Sequence, residues 1–231
     1  MTLQQRSYNK ELLDNDDIPF EDIKRNMQEL NFINTWLGGH QITIKGLQLL
    51  IGNATKISVC EIGCGGGDNL AAIIKYCNKK KININCTGID IKEECIDFAK
   101  QNIFLKPYTE WIASDYSKVH FEHKPDIIFS SLFCHHFTEE QLAAQLQWMK
   151  ANCNTGFFIN DLQRNTIAYH SIKTLTKIFS SSYLVKNDAP LSVARGFHKN
   201  EWQKIFTIAG IEKFSIKWKW AFRHLITYKK T

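Results

Sequence analysis

No apolar run in this 231-residue sequence approaches the roughly 20 residues that a membrane span requires, so none is expected. The first 20 residues contain Glu11, Asp14, Asp16 and Asp17 and no apolar stretch of the kind found in a secretory signal. Seven cysteines, at positions 60, 64, 77, 86, 95, 134 and 153, form no C-x-x-C pair. Several of them fall inside apolar runs, where Cys behaves as a small hydrophobe, and an odd, scattered set argues for a reducing compartment. Together these absences predict a cytoplasmic protein. There is no internal repeat and no low-complexity tract. Hydrophobic residues at 44% and charged residues at 23% set disorder aside.

Charge is abundant but uneven. Residues 162–231 carry 13 Lys and Arg against 3 Asp and Glu, whereas residues 1–161 carry 16 against 20. A basic C-terminal third is either a solvated surface or a face for an anionic substrate, an acidic partner or a membrane surface. Apolar positions Phe20, Ile23, Met27, Leu30, Ile33, Trp36 and Leu37 recur at spacings of three and four, which is the period of an amphipathic helix. Gly38 and Gly39 stop that helix, and a second one is expected from about Ile42 to Ile51. Residues 1–54 therefore read as a helical cap on a main domain spanning 55–231.

From residue 57 short apolar runs, "ISVCEIG", "ININCTGID", "YTEWIASD", "DIIFSSLF" and "GFFIND", alternate with amphipathic stretches. Parallel strands need crossovers, so this alternation predicts a Rossmann-like α/β sheet with helices on both faces. "IEKFSIKWKW" and "AFRHLITYKK" leave no room for a helix and predict a C-terminal antiparallel hairpin, making a seven-stranded, mostly parallel sheet. Residues 162–199 are too long for a loop in a compact domain and carry a helical pattern, so they read as a lid inserted after the fifth strand.

"SVCEIGCGGGDNL" places glycines 63, 65 and 67 between the first strand and the first crossover helix. The G-x-G-x-x-G register of a dinucleotide site fails, because Asp68 occupies its third position. Glu61 at the strand end would repel a pyrophosphate and favour a cation. An acid followed by G-x-G-x-G at this place resembles the first motif of class I S-adenosylmethionine-dependent methyltransferases, and the resemblance extends over residues 57–231 in element order. It implies S-adenosylmethionine as cofactor, held by Glu61, Gly63, Gly65 and Gly67. Asp90, ending the second strand about 20 residues on, would take the ribose hydroxyls, or else cap the next helix. Ile91 would pack on the adenine, Asp115 would accept from its amino group, and Tyr116 stands beside them. Ser131 and Leu132 would present backbone to the methionine part.

The fourth strand leads into "FCHHF". A neutral imidazole suits removal of a proton from a hydroxyl attacking the methyl carbon. His135 and His136 are thus the candidate bases, with His135 preferred on the pattern of the family. Enzymes that methylate nucleobase amines carry an Asn/Asp-Pro-Pro-aromatic motif here, and this chain has Ser-Leu-Phe-Cys instead. Asp161 either orients a substrate hydroxyl or caps the lid helix, and no closely spaced acid motif predicts a metal. In the lid, Arg164, Tyr169, His170 and Arg195 are placed over the pocket mouth by connectivity, although its apolar stripe also suits packing on the core. "FINTWLGGH", "NDLQRN" and "LSVARGFHKNEW" resemble a bacterial subgroup acting on polyketide-type and phenolic metabolites. The expected acceptor is a small, largely apolar molecule methylated on oxygen, with carbon or nitrogen methylation as the variant. The alternation in "KWKWAFRH" raises nucleic-acid or protein modification as a competing class, but it also has the period of a half-buried strand. A non-catalytic cofactor binder is the third class.

Overall fold

The computed structural model describes residues 3–15 and 17–230. The chain begins with α1 (Phe20–Trp36) and α2 (Gly39–Ile51), and the sheet is built from β1 (Lys56–Ile62), β2 (Asn83–Asp90), β3 (Thr109–Ala113), β4 (Ile127–Ser131) and β5 (Gly156–Leu162). Between these strands run α3 (Asp68–Lys79), α4 (Glu93–Lys100) and α5 (Glu139–Asn152). After β5 come α6 (Thr166–Phe179), α7 (Tyr183–Arg195) and α8 (Lys199–Ile208), then β6 (Phe214–Lys219) and β7 (Arg223–Lys229).

Strand order is β3-β2-β1-β4-β5-β7-β6. The first five strands pair in parallel, and β7 enters antiparallel between β5 and β6. The seven-stranded, mostly parallel sheet with its terminal hairpin is as the alternation of apolar runs predicts. Order reverses between β1 and β4, and a crevice opens at the carboxyl ends of parallel strands at such a point.

Both faces of the sheet are covered, which is why β4, "IIFSS", is buried at every residue. On one face Leu142, Leu146 and Met149 of α5 and Trp202, Ile205 and Phe206 of α8 pack on Ile128, Phe157 and Ile226. On the other, Leu47 and Leu50 of α2 and Leu70, Ile73 and Ile74 of α3 pack on Val59, Phe129, Phe158 and Leu225. A Cβ on Gly46 would lie 2.4 Å from the Phe158 ring, so glycine sets how closely α2 approaches β5.

Three expectations change. The second helix starts at Gly39, because Gly38 alone takes the left-handed conformation (φ 73°) that turns the chain between the two helices. The segment after β5 folds into two helices, not one. Trp218 and Trp220 are 56% and 70% exposed, and Trp220 lies beyond the strand, so β6 at the sheet edge is not the half-buried strand its alternation suggests. Among the described residues no helix is long and apolar enough to cross a membrane.

Candidate active site

A cavity of about 420 Å³ opens at the carboxyl ends of β1 to β4. Gly63, Gly65, Asp90, Ile91, Asp115, Tyr116, Leu132 and His136 all line it, bringing eight of the sequence-predicted positions into one wall. Its roof is α1, through Ile23, Asn26, Met27 and Leu30, together with Leu13 and Asp14 of the preceding segment.

The loop after β1 is shaped by left-handed backbone at Gly63 (φ 66°), Gly65 (φ 49°) and Gly67 (φ 80°). The three do different work. A Cβ on Gly63 would lie 2.2 Å from Phe133, whereas one on Gly65 would meet nothing, so Gly65 leaves an open cradle. Gly67 does not line the cavity; it N-caps α3 against Trp111. Asp90 fixes the loop, its Oδ2 accepting from Gly65 N (2.8 Å) while Oδ1 accepts from Lys92 N (3.0 Å). Burial raises the Asp90 pKa despite those amides. Asp115 accepts through Oδ1 from the amide and the hydroxyl of Ser117, both at 2.9 Å, and Oδ2 has no donor among the described residues. Leu132, a non-glycine residue at φ 53°, donates its amide to Asn160 O (2.9 Å). Strain of this kind collects at functional sites.

Glu61 lies behind the wall and does not line the cavity. It is 1% exposed; Oε1 accepts from Asn69 Nδ2 at 3.0 Å, and Oε2 has no donor among the described residues. Burial first, then the charges of Asp68 and Asp90, push its pKa well above the carboxylate range, with Asn69 opposing. Ser131 is also interior, its Oγ accepting from Asn160 Nδ2 (3.3 Å), so a cofactor could meet only its backbone.

The histidine pair reverses the expected preference. The two rings lie 4.4 Å apart on a short 3₁₀ turn, and Asp161 captures His135: Nδ1 lies 2.8 Å from Asp161 Oδ1, and the residue is 2% exposed. His136 is the one on the cavity, with Nδ1 3.1 Å from Asp14 Oδ1 and Nε2 3.8 Å from Glu11 Oε2. Asp161 neither faces a substrate nor caps the lid helix, a task Asn165 performs. Its second oxygen accepts from the amides of Phe133 (3.0 Å) and Cys134 (2.6 Å), which pins the turn to β5. Burial raises the Asp161 pKa, but His135 and the backbone amides outweigh it and the net shift is downward.

Arg164 and Arg195 do not stand over the pocket mouth. Arg164 is 1% exposed and wholly used by Leu3 O, Gly196 O and Glu201, the last as a two-pronged ion pair at 2.7 and 3.1 Å. Arg195 donates to His135 O (3.0 Å), His136 O (2.9 Å), Asn9 O (2.9 Å) and Asp14 Oδ2 (3.2 Å). Its fork holds the histidine turn and the N-terminal segment together. Tyr169 and His170 stack edge to face on α6 (5.3 Å) and line no part of the cavity. The apolar stripe of α6 instead faces α1 across a groove of about 710 Å³, lined by Phe32, Trp36, Ile172, Leu175 and Phe179.

Sequence reasoning missed Glu11 and Asp14. Glu11 is 4% exposed, with Oε1 3.6 Å from His135 Nε2, and burial lifts its pKa to about 7 against opposition from His136, Ser192 and Arg195. For Asp14, burial works upward but the His136 bond and charge, the Glu11 amide and Arg195 hold the pKa well below the carboxylate range. Glu11, His135 and His136 bring their donor atoms within 4.8 Å of one another, a set that could hold a metal or share a proton. No local signal marks Asp14, whose partner His136 is 122 residues away.

The family model described as "Methyltransferase domain" matches residues 59–165, from β1 through β5, and so contains the glycine loop, Asp90, Asp115 and the histidine turn. Just under half of the chain thus matches a methyltransferase domain. No curated protein gives a significant match over this sequence. Among solved structures the chain superposes on the plantazolicin methyltransferase BpumL in complex with a desmethyl analogue and S-adenosylhomocysteine (TM-score 0.65, 18% identity, 91% of this chain and 90% of that one). It is also similar to human N-acetylserotonin methyltransferase bound to S-adenosylmethionine (TM-score 0.63, 17% identity, 91% of this chain). A third is the magnesium protoporphyrin IX methyltransferase of Synechocystis PCC 6803 (TM-score 0.55, 13% identity, 94% of this chain and 100% of that one). The chain spans 56% of the length of the human enzyme. At these identities the likeness is one of fold.

Proposed function

We propose that the enzyme methylates an oxygen of a small, largely apolar molecule, phenols included, with His136 as the base. The observation that carries this reading is an imidazole on the cavity wall whose Nδ1 is engaged by a carboxylate that stays ionised, Asp14. Bound S-adenosylmethionine supplies an electrophilic methyl group. Gly65 leaves room for it, Asp90 takes the ribose hydroxyls beside its two amide bonds, Ile91 covers the adenine and Asp115 accepts from the adenine amine through Oδ2. Gly63 and Leu132 border the methionine part, and Glu61 answers its positive charge from below.

His136 Nε2 takes the proton from the acceptor hydroxyl, and the Asp14 and Glu11 carboxylates stabilise the imidazolium that results. Positioning in a dry cavity supplies most of the rate, and base assistance contributes about 10²- to 10⁴-fold. His135, Asp161 and Arg195 act as positioning residues for His136. The apolar groove shared by α1 and α6 supports an apolar acceptor, and the missing Asn/Asp-Pro-Pro-aromatic motif argues against a nucleobase amine. Seven free, buried cysteines support a cytoplasmic location. We assign Glu11, His135 and His136 to proton sharing, since a carboxyl titrating near 7 lets one proton pass between them.

His136→Asn should lower kcat at least 100-fold on any oxygen acceptor found by a labelled-methyl screen, while S-adenosylhomocysteine binding by calorimetry stays within twofold. Turnover should persist in EDTA. Unchanged turnover in the variant removes the base, and loss in EDTA restored by a divalent ion replaces proton sharing with a metal.

A further inference from the structure

The apolar residues Ile167, Ile172, Leu175, Ile178 and Phe179 of α6 fall within one arc of about 140° at 3.6 residues per turn, and Lys173, Lys177 and His170 take the opposite arc. A helix that serves the core buries its apolar arc. In α6 the buried residue is instead Thr176, whose hydroxyl donates back to Ile172 O at 2.8 Å, while Ile167, Leu175, Ile178 and Phe179 are exposed, Phe179 at 78%. Across the groove of about 710 Å³, α1 adds Phe32 and Trp36, with ring centroids 5.7 Å apart and Trp36 at 75% exposure. Single exposed apolar side chains are ordinary, but a continuous set on two adjacent helices marks a surface that something covers.

Charge decides what covers it. Helix α6 contains no acid, and Glu29, the acid in the groove wall, is already taken: it accepts from the amides of Ser181 (3.0 Å) and Ser182 (3.1 Å) and from the hydroxyls of Ser180 and Ser181. A second copy laid face to face would bring one basic helix against another with no carboxylate on either to pair with, and like charges brought together at an interface disfavour it. An anionic lipid surface does the reverse, since each Lys near it adds attraction. Residues 162–231, which include α6, carry 13 Lys and Arg against 3 Asp and Glu. At 14 residues α6 is about 21 Å long, too short to cross a hydrocarbon layer of about 30 Å and suited to lie in its plane. Lysine stems let the ammonium groups reach headgroups while the apolar arc goes deeper, and an indole such as that of Trp36 suits the boundary between them.

We infer that α6 and the second half of α1 form a docking face for an anionic lipid bilayer, with the apolar arc of α6 at the acyl boundary and Lys173 and Lys177 toward the headgroups. The face shares a helix with the cavity, because Phe32 and Trp36 belong to the same α1 whose Ile23, Met27 and Leu30 form the roof. An apolar acceptor dissolved in the bilayer is thereby brought to the helix that covers the site. That link to the acceptor rests on the oxygen-methylation reading; the docking itself does not.

Co-sedimentation of the whole chain with vesicles of phosphatidylcholine alone, and of phosphatidylcholine mixed with phosphatidylglycerol, tests the docking without cofactor or acceptor. The wild type should bind the mixed vesicles at least tenfold more tightly than the neutral ones, and the double variant Ile178→Ser, Phe179→Ser should lose at least tenfold on the mixed ones. Brominated phosphatidylcholine in the mixed vesicles should quench wild-type tryptophan emission, and Trp36→Phe should remove most of that quenching. Quenching that survives in Trp36→Phe places the contact at the exposed Trp218 and Trp220 instead and overturns the assignment to α1 and α6. Binding by the double variant within twofold of the wild type also overturns it, because charge alone then holds the protein to the vesicle. So does a wild type that binds neither vesicle, and if it scatters light as a dimer where the double variant is a monomer, the face belongs to a second copy. Both serine substitutions are at exposed positions, so the melting temperature should not move; should the double variant fail to fold, the Trp36 quenching decides alone. A failed methylation reading leaves each of these measurements standing.

Discussion

Glu61 ends β1 with one oxygen on Asn69 and the other facing no donor, in a place where ionisation is expensive. Its pKa is raised on folding, so the folded state holds the proton more tightly than the unfolded chain does. The contribution of this residue is therefore most favourable below the ordinary carboxylate range and declines as pH climbs from there toward the raised value. A cation bound above the residue reverses that balance. Glu61→Gln keeps an oxygen for Asn69 and removes the charge, so at pH 7.5 it should raise the melting temperature of the empty protein by about 2–4 °C per kcal/mol recovered. The same change should weaken S-adenosylmethionine at least tenfold in calorimetry. A variant that melts lower and binds equally well would dismiss the electrostatic role. The acid and the alternate glycines were legible as a local pattern, because strand, turn and helix follow one another within a dozen residues. That Glu61 acts from beneath the wall was not legible, since its burial comes from α2 and α3 folding over it.

At the scale of elements, the turn between β4 and α5 is held from three sides. Asp161 of β5 grips its amides and His135, while Arg195 of α7 and Arg6 grip its carbonyls, Arg6 donating to His135 O at 2.7 Å. The guanidinium of Arg6 also lies 4.0 Å over the Phe197 ring. The segment after β5 thus serves as a buttress for the histidine turn instead of a cover for the cavity, and the cover is α1. Arg195→Lys keeps the charge but cannot reach four acceptors in one plane. It should cost about 2–3 kcal/mol of stability in urea melts and lower kcat with little change in S-adenosylhomocysteine affinity. A loss of cofactor binding equal to the loss of kcat would show that α7 supports the whole cavity and not the turn. The helical periods of α1 and α6 were readable from their apolar spacing. Which cavity each helix faces depends on how the two pack, and spacing does not record that.

Over the whole molecule, buried carboxyls pull the pH dependence in two directions. Asp14 and Asp161 have lowered pKa values, so their contribution is present above the ordinary range and is lost as pH falls through the lowered values. Glu11, raised to about 7, and Asp68, raised to about 6, do the opposite: folding is favoured while they are protonated, and stability drains between about pH 4 and 7. Glu11→Gln should therefore match or trail the wild type at pH 4.5 and exceed it above pH 7, by up to about 3 kcal/mol, in denaturant melts across that range. A difference that does not vary with pH would place the Glu11 pKa near its ordinary value.

The sequence by itself determined the alternation of strands and crossovers, the glycine loop and the acid ending β2, because each arises from residues close together in the chain. Only the tertiary structure decided which histidine reaches the cavity, which arginines are spent on backbone, and that the buried Nε and Nη1 of Arg223 meet no acceptor among the described residues. Those outcomes turn on contacts between segments 26 or more residues apart, where burial and the competition for hydrogen-bond acceptors are settled by packing.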